Sequence, residues 1–295
     1  MRAHLKKHCD FHDIKFLQPI IDIPTRWNST YNMIERAQYL QKPLNSLCSN
    51  VKSLSKLLLL ESEWNELESV KSLLAKFDKA TKKNSKEKEA TIQLYIPTIK
   101  WLLESIDTFI EKNPGPLADA ATKGKEKLKN YDPKLSTSEI PFIATFLNPA
   151  QKLSYFDEHG YLKPYVKKIK KAIVTVFQDK YQTRQTEMEV VEQDEDDFEA
   201  HMNKRSRIEK KVSEIQKYLA LNLANPQDVL DYWSKNEAEF PHLSKMARDY
   251  LAIQGSSVGV ERDFSAGTDI VTPTRCSLNP DTVAACMCLR DWLRK

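Results

Sequence analysis

Apolar residues recur at steps of three and four along most of this chain. Leu60, Trp64, Leu67, Val70, Leu74 and Phe77 form the clearest such stripe, and that spacing lines one face of an α-helix. The stripe runs out in "KATKKNSKEKEA", which reads as a charged loop. A second stripe passes through Ile92, Ile96, Ile99, Leu103, Ile106 and Ile110 and stops at "NPGP", where proline and glycine break a helix. Tyr31, Ile34, Leu40, Leu44 and Leu47 predict a helix that bends at Pro43. Residues 116–130 are weakly helical. Tyr165, Ile169, Ile173, Val176 and Phe177 predict a helix over 161–182. The run "IPFIATFLNPAQKL" is apolar between prolines, and period alone does not separate a strand from a buried helix there.

The pattern lapses after residue 182. "EMEVVEQDEDDFEAHMNKRSRIEKK" is an acidic block followed by a basic one. Few of its residues could bury surface, so it reads as a linker and a boundary near residue 200. Four short helical patterns follow. Val212, Ile215, Tyr218 and Leu219 mark the first. Pro226 to Trp233 fits the second, with Asn225 as its cap. Leu243, Met246, Ala247, Tyr250 and Leu251 mark the third. Val283, Cys286, Leu289 and Leu293 mark the last, which starts at Asn279 and Pro280. No internal repeat of fixed period is present.

Composition narrows the class. Six glycines in 295 residues are too few for the positive-φ turns of an all-β chain or for a phosphate-cradling glycine loop. The net charge of +4 is compatible with a nucleic-acid partner without requiring one. Five cysteines without regular spacing predict free thiols in a reducing compartment. The start lacks the apolar core of a secretory signal, and no run is long enough to span a bilayer. The expectation is a soluble, mainly α-helical protein without membrane or small-molecule partners.

Four places carry candidate chemistry. Cys9 and His12 have metal-like spacing, but a zinc site needs a second pair; they read as an incidental surface pair. Lys163, Lys167, Lys168, Lys170 and Lys171 crowd one segment and fit either phosphate contacts or a solvated helix face. In "DIPTRWNSTYNMIERAQYL", Thr25 or Asn28 can cap the following helix. Trp27, next to Arg26, is either a packing anchor or an aromatic that stacks on an unpaired base. A fourth stretch, "SSVGVERDFS" (256–265), sets Glu261 between small residues and Phe264. Glu261 is either a solvated charge at a helix start or part of a catalytic site.

The stretch "DIPTRWNSTYNMIERA" resembles the signature of the hAT superfamily of DNA transposases. "DVLDYWSKNEAEFPHLSKMARDYLAI", "SSVGVERDFSAGTDIVTPTRCSLNP" and "DTVAACMCLRDWL" resemble that superfamily's C-terminal dimerisation region, and "IPFIATFLNPAQKLSYF" is similar to a segment of its helical middle. The resemblance implies an RNase H-like transposase fold with a large helical insertion and a C-terminal helical dimerisation region. It assigns residues 1–20 to a remnant preceding the tryptophan motif, 21–200 to the RNase H-like and helical insertion region, and 205–295 to the dimerisation region.

By the same resemblance Glu261 is the third of three catalytic carboxylates that hold two metal ions, Mg or Mn in an intact member. Arg262 would pair with an acid or a phosphate, and Phe264 would pack inward. The small residues before Glu261 would let its helix start approach its neighbours closely. Trp27 matches the family's base-stacking tryptophan. Arg26, Trp27, Lys167, Lys168, Lys171 and Arg262 are the expected DNA contacts. Trp233, Phe240, Tyr250, Phe264, Leu289 and Trp292 are the expected dimer residues. Asn148 stands where the family has aspartate, and Cys9 and His12 do not take the place of its upstream C/D-x-x-H motif. The two earlier aspartates find no match, so the chain reads as a truncated member. Its expected properties are self-association, DNA contact, nuclear location, and neither cofactor nor catalysis of its own. A working transposase completed by a missing N-terminal half and a domesticated host interaction protein are the alternatives.

Overall fold

The computed structural model describes residues 1–23, 27–86, 89–132, 138–182, 213–271 and 277–293. Among them regular structure is helical, with no strand. The mainly α expectation therefore holds for the described residues, and no sheet of an RNase H-like fold lies among them. The chain divides into two compact units, one of residues 1–82 and 98–132, the other of 83–97 and 133–295. The expected boundary near residue 200 falls outside the described residues, and the units divide elsewhere.

The first unit holds α1 (Arg2–Phe11), α2 (Trp27–Tyr39), α3 (Gln41–Asn50), most of α4 (Glu61–Asn84) and of α5 (Tyr95–Lys112), and α6 (Pro116–Lys129). Leu5 and Cys9, one turn apart on α1, meet Leu40 and Leu47 in a small core. Cys9 is thus fully enclosed rather than on the surface, and burial, helped by the charge of Asp10, pushes its thiol pKa up. The chain bends at Leu40, not at Pro43. Proline lacks only an N–H, and in the first turn of α3 that N–H would have no intrahelical partner. The segment read as a loop after Phe77 continues α4 to Asn84. Lysine and alanine sustain a helix there, and Lys82 pairs with Asp78 at 2.6 Å one turn back. Ile106, Phe109 and Ala121 form a second core under Leu73, Phe77, Leu117 and Leu128.

The second unit is built around α7 (Ile140–Phe146), the run whose period was ambiguous. Phe142, Ile143, Ala144, Thr145 and Phe146 are all buried, so the helix is apolar all round because it is surrounded. Around it lie α8 (Ser154–Glu158), α9 (Lys163–Lys180), α10 (Glu214–Ala220), α11 (Val229–Lys235) and α12 (Pro241–Leu251). The unit also holds α13 (Val258–Ile270) and α14 (Pro280–Leu293), which pack on each other. Helix α11 starts at Val229, three residues later than expected. Asp228, not Asn225, is its cap, accepting from the Leu230 N–H at 2.9 Å.

A helix buried on all sides must still satisfy its last carbonyls. The Tyr218 hydroxyl donates to Phe146 O at 3.2 Å, Trp233 Nε1 to Leu147 O at 2.8 Å, and the Ala224 N–H to Pro149 O at 3.0 Å. Lys152 returns the bonds. Its Nζ donates to the carbonyls of Tyr218 and Leu221, both at 2.7 Å, and of Asn222 at 3.3 Å. It also lies 4.5 Å from the centre of the Tyr218 ring. Lys152 is 2% exposed, and burial pushes its pKa down. The carbonyls at the end of α10 oppose that shift, since a helix C-terminus favours a cation.

Trp233 and Phe240 are 3% and 0% exposed within this core. The expectation that they form a dimer surface is corrected: α7 supplies the apolar contact they need inside their own unit. Tyr250 is half-buried against the same core.

Lys152→Met keeps the aliphatic stem but removes every donor to the three carbonyls. It should lower stability by about 2–4 kcal/mol, read as a fall in the urea midpoint with unchanged slope.

Candidate functional site

Glu261 stands in the first turn of α13, where a negative charge complements the helix dipole. Its carboxylate is exposed and accepts from the Ser257 hydroxyl at 2.8 Å. The start of this helix is tied down just upstream. The Gly255 N–H donates to Thr91 Oγ1 at 2.8 Å, Thr91 Oγ1 donates to Gln254 Oε1 at 3.2 Å, and Ser256 Oγ donates to Asn84 O at 3.1 Å. A Cβ on Gly255 would lie 3.0 Å from Thr91 O. The glycine therefore permits the close approach expected before Glu261, though here to the backbone beside a 3-10 turn, Ile92–Leu94, rather than to a strand.

Arg262 and Phe264 belong to α13, but their side chains lie outside the description. Among the described residues no group of three or more His, Cys, Asp or Glu side chains could hold a metal. The described residues therefore do not by themselves make up the two-metal centre implied by the resemblance.

Helix α14 lies against α13, with Arg290 Nη2 donating to Asp269 Oδ2 at 3.2 Å. Its far end is apolar and open: Leu289, Trp292 and Leu293 are 53%, 65% and 84% exposed. Leu289 and Trp292 are thus the expected dimer residues that present apolar surface.

The tryptophan motif is organised by a residue that sequence reasoning passed over. Asp22 accepts from the Ser29 hydroxyl at 2.5 Å and from Thr30 Oγ1 at 2.9 Å, while the Ile23 N–H donates to Ser29 Oγ at 2.7 Å. These bonds fold the chain before α2 back onto its first turn, which begins at Trp27. The two hydroxyls hold the Asp22 carboxyl below its ordinary pKa of 3.8. Asn28 lies within the helix rather than capping it. Arg26, Thr25 and the Trp27 side chain lie outside the description. Lys167, Lys168 and Lys171 are all exposed on α9, away from its buried Ile169, Ile173 and Phe177.

Two further groups were missed. Lys152 carries no local signal that sets it apart from the other lysines of the chain. Glu214 caps a helix distant in sequence, accepting the N–H groups of His242 (3.1 Å) and Leu243 (2.8 Å) at the start of α12, and it contacts His242 Nδ1 at 2.5 Å. The proline that opens α12 signalled a helix start, but nothing local named the acid that caps it.

With this arrangement of helices in view, residues 209–293 match the hAT family C-terminal dimerisation region. Residues 4–73 match the ZBED1 RNase-like helical domain. The chain thus carries a hAT-type C-terminal dimerisation region and an RNase-like helical region, and it is homologous to AC transposases and BED zinc finger proteins. It is 28% identical to a putative AC transposase of Zea mays over 97% of its own length and 38% of that protein's. It is likewise 28% identical to a putative transcriptional regulator, tpeD, of Talaromyces stipitatus, over 92% of the chain and 31% of that protein. The zinc finger BED domain-containing protein RICESLEEPER 3 of Oryza sativa subsp. japonica is 37% identical over 33% of the chain and 14% of its own length. The chain thus spans under two fifths of the length of these relatives.

The lowered pKa of Asp22 sets a pH dependence. The unfolded carboxyl binds its proton at higher pH than the folded one, so Asp22 stabilises the start of α2 above its ordinary pKa. That contribution fades as the pH falls through the lowered value. Asp22→Asn should abolish this dependence and speed amide exchange at residues 29–32 at neutral pH, measured by hydrogen exchange.

Gly255→Val should release the start of α13 from Thr91, because the β-branched side chain meets backbone that cannot swing aside. The expected readout is faster exchange over 256–262, with α7 still protected.

Proposed function

We propose that this chain acts by self-association through the packed pair α13 and α14. One observation carries the reading: the open apolar end of α14, formed by Leu289, Trp292 and Leu293, lies inside the stretch that matches a dimerisation region. Covering each of the larger side chains is worth about 1.5–3 kcal/mol, and a two-fold contact would cover each of them twice. Neither Trp233 nor Phe240 takes part in that contact.

DNA is the second partner in this proposal. The exposed lysines 167, 168 and 171 support weak, salt-dependent, sequence-independent contact with phosphates. Arg26, Trp27 and Arg262 extend the expected contacts, and a nuclear location follows from a DNA partner. Cleavage is not proposed for the 295-residue chain. Glu261 would act as a catalytic carboxylate only beside further acidic ligands and Mg or Mn, and one exposed carboxylate binds such an ion weakly.

The test is light scattering at micromolar concentration. A dimer is expected, and Leu289→Asp with Trp292→Asp should weaken it at least tenfold while leaving the helical circular dichroism intact. A monomer at all concentrations, or a dimer indifferent to the double substitution, would overturn the reading.

A further inference from the structure

A cavity of about 270 Å³ lies between Ser69–Lys76 of α4 and Ser105–Asn113, at and just beyond the end of α5, within the first unit. Its lining differs from that of an ordinary ligand pocket. Such pockets are mainly apolar and run to roughly 300–1,000 Å³. This one is smaller, and most of its lining residues are hydroxyl-bearing or cationic, with no carboxylate among them.

The two lysines, Lys76 and Lys112, come from opposite walls. Asp78, nearest Lys76 in sequence, pairs with Lys82 at 2.6 Å, and Glu111, beside Lys112, does not line the cavity. Three other acids of these helices are also engaged: Glu68 pairs with Lys71 at 2.7 Å, Glu104 with Lys100 at 3.5 Å, and Asp107 with Lys125. Neither Lys76 nor Lys112 has an ion-pair or hydrogen-bond partner among the described residues. Two like charges facing one small cleft repel, and an anion between them relieves the repulsion.

The hydroxyls are arranged in two roles. Ser72 and Thr108, nearer solvent, donate to the backbone carbonyls of Ser69 and Glu104. Ser69 and Ser105 make no side-chain hydrogen bond among the described residues. Ser105 is buried, 5% exposed, yet lines the cavity. Its hydroxyl opens on the cavity and is available to donate to a group that enters it. The cleft therefore offers two ammonium groups and two free O–H donors, which is the chemistry that recognises a compact, multiply charged oxyanion.

We propose that the α4–α5 cleft binds a phosphate group, held between Lys76 and Lys112 and bonded by Ser69 and Ser105. That chemistry has two sources, free inorganic phosphate and a backbone phosphate of nucleic acid. Ser72, Thr108 and Lys112 are exposed, so the mouth admits a phosphate still joined to a chain. The site shares no residue with the α14 surface and does not rest on the dimer reading.

The full chain, labelled with ¹⁵N, is titrated with inorganic phosphate and, separately, with a short single-stranded oligonucleotide, against chloride at equal ionic strength. Shifts of the amides of Ser69, Ser105 and Asn113 that saturate with phosphate but not chloride are expected. Lys76→Gln with Lys112→Gln should weaken that response at least tenfold. Ser105→Ala keeps both charges and should weaken it severalfold, which a merely electrostatic cluster would not show. If the oligonucleotide shifts the same amides, the source is a nucleic-acid backbone; if only inorganic phosphate does, the source is the free ion. Amides indifferent to both, or equally responsive to chloride, would overturn the proposal. Because the readout is local, DNA held only by the α9 lysines would leave these amides unmoved and would count against the cleft alone.

Discussion

The turn that follows α7 is the constraint on which the second unit depends. A helix buried on all faces has nowhere to place its terminal carbonyls except against other protein groups. Here those groups come from residues 218–233, and Lys152 from the turn itself closes the far end of α10 in return. The exchange is reciprocal: each segment caps the other's helix end. Either segment alone would bury polar groups with no partner. Together they explain why Tyr218 and Trp233 are wholly internal despite their polar atoms.

This exchange changes what the C-terminal region can be. The stretch matching a dimerisation region begins at residue 209, yet its first helices share one core with residues 140–177. Aromatic residues that look excessive for a small helical module are accounted for once α7 lies among them. What remains outward is the pair α13 and α14. Gly255 and Ser256 hold the start of that pair on residues 84–91, so Glu261 projects from an anchored helix start rather than from a loose one.

The helices were legible where apolar spacing was regular, as in α4, α5 and α9. They were misjudged where a neighbour decided the outcome. Period could not classify "IPFIATF" because a surrounded helix has no polar face to set a phase. The bend was placed at Pro43 because a proline inside a pattern signals a break, while the actual break at Leu40 puts that proline in a first turn where it costs little. The cap of α11 was misplaced because Asn225 and Asp228 are chemically similar caps, and only the backbone geometry selects one. At the tryptophan motif, the position of Trp27 was readable. The part played by Asp22 was not, since its partners, Ser29 and Thr30, reach it only once the chain folds back on α2.

The sequence by itself determined the helical class, the family resemblance and the places where its motifs fall, because these depend on residue order and local spacing. Tertiary structure alone decided which polar residues carry structural weight. Lys152, Glu214 and Asp22 are ordinary charged residues by composition, and their roles come from partners up to 70 residues away. It also decided which aromatic residues face outward. Trp233 and Trp292 sit in equally apolar patterns, but one is enclosed by α7 and the other by nothing described. Burial is a property of the neighbours a fold supplies, and local sequence does not contain them.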